Sequence, residues 1–315
     1  MSDYGVTVDG SYSVLFTISI LFTIIALISC GKIPIPSFLK SILIPQSSDD
    51  GLSIDFFLSA RNSADYKTIA LSFFSSGMGA WVLYGTTTMG ATPSLSWFGV
   101  IGYSMASALP GFIICLIGPK VREMSGASAF GTSDFAKERY GRIMQLIVAF
   151  ISVFGMFIGM VSELTAISNV YGILVGKDVT GDDNKNYTES IVWIISLFTL
   201  FYTTLAGLPA SIVTDKLQGI MIVFLMIVLL IATTSQKENR VSPSEFNVAS
   251  NWTEEGFMAM ITLFLAILSA SAFDQGSWQR VWASKDVTSM RKVCMLTFIP
   301  NILMISCLTI LFISL

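Results

Sequence analysis

Three carboxylates and a closely spaced pair of glycines stand inside otherwise apolar stretches of this 315-residue chain, and chemistry is to be sought there. Ser75-Ser76-Gly77-Met78-Gly79-Ala80-Trp81 interrupts one stretch near its middle. Each glycine weakens a helix by about 1 kcal/mol relative to alanine. A break there frees main-chain carbonyls for a cation, with serine hydroxyls as further hard oxygen ligands. Close packing of a neighbouring helix on small residues explains the same glycines and is the favoured reading of this stretch taken alone. Phe273-Asp274-Gln275-Gly276-Ser277-Trp278 closes another apolar run. A carboxylate at membrane depth costs roughly 2.5–3.5 kcal/mol on the insertion scale. Asp274 therefore marks a pathway or binding site, unless it lies at an interface and pairs with Arg280. Glu163 has no basic residue near it in sequence and reads as a candidate for proton or cation coupling. Asp215, after Gly207-Leu208-Pro209-Ala210, is either a helix N-cap or a cation ligand. Trp81, Trp278 and Trp282 are either cavity-lining or interfacial; Trp282 reads as an anchor, Trp81 less so.

These residues need elements to hold them, and composition dictates which. The chain is 53% hydrophobic and 12% charged, with mean hydropathy +0.71, too apolar for an ordinary soluble domain. Apolar runs over about 11–30, 68–86, 97–118, 143–175, 190–207, 211–234, 257–279 and 293–315 predict an all-α polytopic membrane protein of about eight transmembrane helices. In lipid every backbone N–H and C=O must be satisfied within the segment, so the spans are helices. Segment 31–66, with Pro34, Pro36, Pro45 and Ser47-Ser48-Asp49-Asp50-Gly51, reads as a flexible linker.

Charge gives the orientation. All but four of the 18 Lys and Arg residues fall in 31–67, 119–142, at Lys216 and in 280–292; the remainder lie in the alternate loops. The positive-inside rule puts the first set in the cytosol and the N-terminus outside, as in a plasma-membrane protein. The sequons at Asn186 and Asn251 both fall in predicted outside loops and are candidate glycosylation sites. The four cysteines sit in or beside apolar runs and read as packing residues. With no histidine in the chain, a Ser-His triad, a His-containing metal site and a histidine relay are excluded. No nucleophile–base pair or phosphate loop is found, so no enzyme is expected.

Five stretches in register resemble the sodium/solute symporter family, whose members carry sugars, proline, urea and other small solutes. They are Asp55–Arg61, Ser72–Trp81, Thr132–Tyr140, Gly207–Gln218 and Asp274–Asp286. The resemblance implies a leucine-transporter-like core of two inverted five-helix repeats behind an extra N-terminal helix. Residues 1–66 are then helix and linker, 67–234 the first repeat, and 257–315 the opening of an incomplete second. Ser75 and Met78 match positions whose main-chain oxygens hold sodium. Ser76, Gly77 and Trp81 lie on the substrate side. Asp215 matches an intracellular sodium-exit aspartate, and Asp274 with Gln275 the polar pair of a broken helix. Two departures stand out: Gly77 replaces an aspartate or asparagine of other branches, and Ala206 the first of two glycines.

The resemblance implies sodium- or proton-coupled symport of a small polar solute such as urea, a polyamine or an amino acid. No cofactor is implied beyond the coupling ion, and the partners are the solute and the bilayer, not nucleic acid. The family's completing Ser/Thr pair lies beyond residue 315, so a truncated member that does not transport by itself is also expected. A receptor or sensor is the remaining alternative, since Glu138-Arg139-Tyr140 echoes a receptor motif. It precedes the fourth span, however, on the wrong side of a loop.

Overall fold

The computed structural model describes residues 7–29, 36, 54–125, 129, 131–175, 185–235, 252–286, 290–293 and 296. Those residues are almost entirely helical. Five helices are long and apolar enough to cross a membrane. α1 (Val8–Ser29), α5 (Ser96–Met124) and α7 (Arg142–Leu174) match three expected spans to within a few residues. The run expected at 293–315 lies almost wholly outside the described residues.

Two expected spans are broken. The 68–86 run divides into α3 (Tyr66–Ser76) and α4 (Ala80–Ala91), and the 257–279 run into α9 (Glu254–Ala272) and α10 (Gln275–Ala283). Conversely, 190–207 and 211–234 join in one element, α8 (Lys185–Ser235), kinked at Gly207 with φ 64° and ψ −160°. That backbone region is open essentially to glycine alone. A Cβ there would also lie 2.5 Å from the Phe57 carbonyl oxygen. Glycine is needed at this bend because a neighbouring backbone also occupies the space a side chain would take.

Of the segment expected as a flexible linker, residues 36 and 54–66 are among those described, and 54–66 is structured. α2 (Ile54–Ser59) is helical, and the segment after it pairs with the end of α10 and the residues that follow. The Asn62 and Ala64 amides donate to the carbonyls of Trp282 (3.2 Å) and Ala283 (3.1 Å), and the Lys285 amide returns to Ala64 (3.1 Å). Backbone pairing over more than two hundred residues of sequence is invisible to local composition.

The core lies where α3, α5, α8 and α10 meet, around Ile69, Phe73, Ile114, Ile212, Trp278 and Trp282. Trp282 is 1% exposed, so it is a core residue and not the interfacial anchor its position suggested. Apolar side chains also cover the outside: along α7, Ile143, Leu146, Phe150, Phe154 and Phe157 are all exposed. A patch of that length would drive aggregation in water and is the surface required in lipid. α1 lies against α8, with the edge-on Phe16–Phe198 contact between them, and reaches α7 through the Ser11–Tyr171 hydroxyl pair (2.8 Å). Cys115 is buried in the core; the other three cysteines are outside the described residues.

Candidate functional site

The first break is built from both sides. Asp65 caps α3, its carboxylate accepting from the Thr68 amide at 3.2 Å. The helix then runs to Ser76, and the Gly77 amide still reaches back to Phe73 and Phe74. Met78 closes a tight turn onto the Ser75 carbonyl (3.0 Å), and Gly79 is extended. α4 starts anew at Ala80 without a side-chain cap of its own.

Glu163 supplies the missing cap from α7. Its Oε2 accepts the Trp81 amide at 3.2 Å. Its carboxylate sits so closely on Gly79 that any Cβ there would collide with it. A negative group at a helix N-terminus answers the unpaired amides and the positive end of the helix dipole. The diversion has a second effect. In a continuous helix the Trp81 and Val82 amides would close onto the carbonyls of Gly77 and Met78. Here they donate instead to Glu163 and, at 3.1 Å, to Gly79. The break is therefore an opened ladder and not merely a bend. The Tyr103 hydroxyl donates to the Trp81 carbonyl (3.2 Å) and fixes the first turn of α4 from α5.

The expected site residues are distributed around this point. Ser75 is buried, and its hydroxyl bonds back to the Ser72 carbonyl; the Ser76 hydroxyl does the same to Phe73. Both hydroxyls are thus held by their own helix. Met78 and Gly79 line an apolar cavity of about 460 Å³ against Ile222, Met226 and Leu229 of α8. The Trp81 ring is 42% exposed.

The second break carries its cap in cis. Asp274 accepts the amides of Gly276 and Ser277, each at 3.2 Å, together with the Ser277 hydroxyl. The Trp278 indole N–H crosses the gap to the Ala272 carbonyl at 3.0 Å. Gln275 turns to α6 (Thr132–Tyr140): it fills the space beside Gly131 and accepts from the Thr132 hydroxyl at 3.2 Å. At the far end of α10, Arg122 of α5 donates to the carbonyls of Val281 (3.1 Å) and Ser284 (2.8 Å).

Asp215 is not a helix N-cap. It lies within α8 past the kink, and its Oδ2 meets Arg280 Nη2 at 2.8 Å and accepts the Ser72 hydroxyl at 2.7 Å. Arg280 Nε donates to the Ser72 oxygen (2.7 Å) and Nη1 to the Gly276 carbonyl (2.8 Å). Its guanidinium also lies over the Phe73 ring at 5.8 Å. The interfacial Asp274–Arg280 pair is thus replaced by a buried cluster joining α3, α8 and α10. Ser72, Tyr103 and Arg280 are the residues sequence reasoning missed as part of the site. An arginine closing an apolar run was the available signal. Asn186 falls in the first turn of α8, and Asn251 lies outside the described residues.

Two comparisons bear on this arrangement. The chain is 27% identical over 232 residues to the spermidine transporter DUR31 of Candida albicans, a match covering 73% of this chain and 42% of that protein. The chain thus spans about two fifths of the length of that curated relative. The profile of the sodium:solute symporter family matches residues 56–314, from α2 through both broken helices, and the chain belongs to that family.

Proposed function

We propose that the protein is a secondary transporter, coupling inward sodium flow to uptake of a small polar solute, with a polyamine as the favoured solute class. The single observation that carries this reading is the opened ladder at Gly77 and Met78. Hard main-chain oxygens without helical donors suit a cation that must bind and leave again. Met78 would offer one of those oxygens, with the Ser75 carbonyl, already bonded to the Met78 amide, as a further ligand, and Asp215 would lie on the route out once Arg280 releases it. Gly77, Ser76 and Trp81 would border the solute, with Asp274 and Gln275 shaping the second half-helix. Family membership supports symport, and the spermidine transporter supports the solute class.

The two broken helices are proposed to occupy corresponding places in inverted repeats, the first over 67–234 and the second opening at 257. The basic loops support a cytosolic face and an extracellular N-terminus, in the plasma membrane. Glycans are proposed on Asn186 and Asn251. Uptake of labelled spermidine by cells expressing the protein tests the central claim. Saturable uptake that collapses when sodium is replaced by choline is expected. Uptake indifferent to sodium and driven by a pH gradient would transfer the coupling to protons, and no uptake at all would sink the reading.

A further inference from the structure

The described carboxylates within the membrane-embedded helices and breaks are differently occupied. Asp215 is neutralised by Arg280. Asp274 has both oxygens engaged by its own turn. Among the described residues no Lys or Arg pairs with Glu163. Its Oε2 holds the Trp81 amide, while Oε1 lies over Gly79. A helix N-terminus carries about half an elementary charge, so the cap offsets the carboxylate only in part. A net negative charge is left where the backbone is open, and a polytopic membrane protein holds such a charge for a cation.

We propose that Glu163 is the counter-charge that reads a protonated amine on the solute, selecting organic cations over neutral molecules of similar size. This rests on the transport reading above and assigns the residue a role other than ion coupling. The geometry favours an alkylammonium over a bare ion at this carboxylate. Sodium prefers several hard oxygens around it, whereas Glu163 has one oxygen committed to the amide of Trp81, a residue that is itself 42% exposed. An ammonium on a methylene chain satisfies both features, through a charge-assisted hydrogen bond and through cation–π attraction to an indole.

Glu163→Gln keeps an oxygen that can accept the Trp81 amide and removes only the charge. In cells expressing the protein, the KM for spermidine should rise about tenfold or more, with the sodium dependence unchanged. Inhibition by 1,8-diaminooctane should weaken in parallel. A Glu163→Gln variant with wild-type spermidine KM overturns the proposal while leaving the transport reading intact; wild-type protein without sodium-driven uptake overturns the latter. Should the variant fail to reach the membrane, carbodiimide labelling of wild-type Glu163 decides. Spermidine should protect Glu163 and 1,8-octanediol should not; equal protection by both, or by neither, overturns the proposal.

Discussion

Asp215 and Arg280, 65 residues apart in sequence, meet at 2.8 Å with Ser72 bridging them, and neither side chain is more than 14% exposed. Through this one cluster the half-helix before the first break, the half-helix after the second, and the long kinked helix are fastened together. Removing one member strands the other as an uncompensated buried charge, which costs about 3–5 kcal/mol. Removing both together leaves no such charge.

Arg280→Met and Asp215→Asn should each lower the melting temperature of the detergent-purified protein substantially. The double variant should recover most of that loss. Additive losses would show that the pair is not coupled, and differential scanning fluorimetry distinguishes the two results.

Gly79→Ala should destabilise by about 1–3 kcal/mol, because its methyl group must displace the Glu163 carboxylate that fills that space. Uptake should fall with stability. Adding Glu163→Ala should restore part of the melting temperature and none of the uptake, since the cap of α4 is then lost. Full recovery of uptake in the double variant would contradict the assignment.

Gly207→Ala meets both a positive φ and the Phe57 carbonyl at 2.5 Å. A loss of about 1–3 kcal/mol is expected from the backbone alone. The substitution should be markedly worse than alanine at Gly155, where nothing lies within 4 Å. Parallel melting curves of the two variants make the comparison.

Asp65 gives a pH dependence. Burial pushes its carboxyl up, but the Thr68 hydrogen bonds and the nearby Lys216 and Lys285 outweigh that and hold it below the usual carboxylate range. A group lowered on folding contributes stability above its unfolded value, near pH 4, and loses it as pH falls through the folded one. Asp65→Ala should therefore cost about 0.5–2 kcal/mol at neutral pH through the lost cap. The gap from wild type should close on acidification. A gap that persists unchanged below about pH 3 would refute the charge contribution.

The residues themselves determined that this chain is a bundle of lipid-facing helices. Runs of apolar residues set the span lengths; Gly77 and Gly79 alone left close packing and a break both open, and it was the family resemblance that pointed to broken helices there and at Asp274. Five short stretches then carried the family, which the profile over residues 56–314 bears out. Partnership was decided only in three dimensions. Glu163 lies 82 residues from the amide it caps, and Arg280 lies closer in sequence to Asp274 than to the aspartate it pairs with. Trp282 looked interfacial by position, yet helix packing closes over it. Local sequence reports what a residue costs in a bilayer, whereas the group that offsets the cost comes from another helix, and only the packing of the helices selects it.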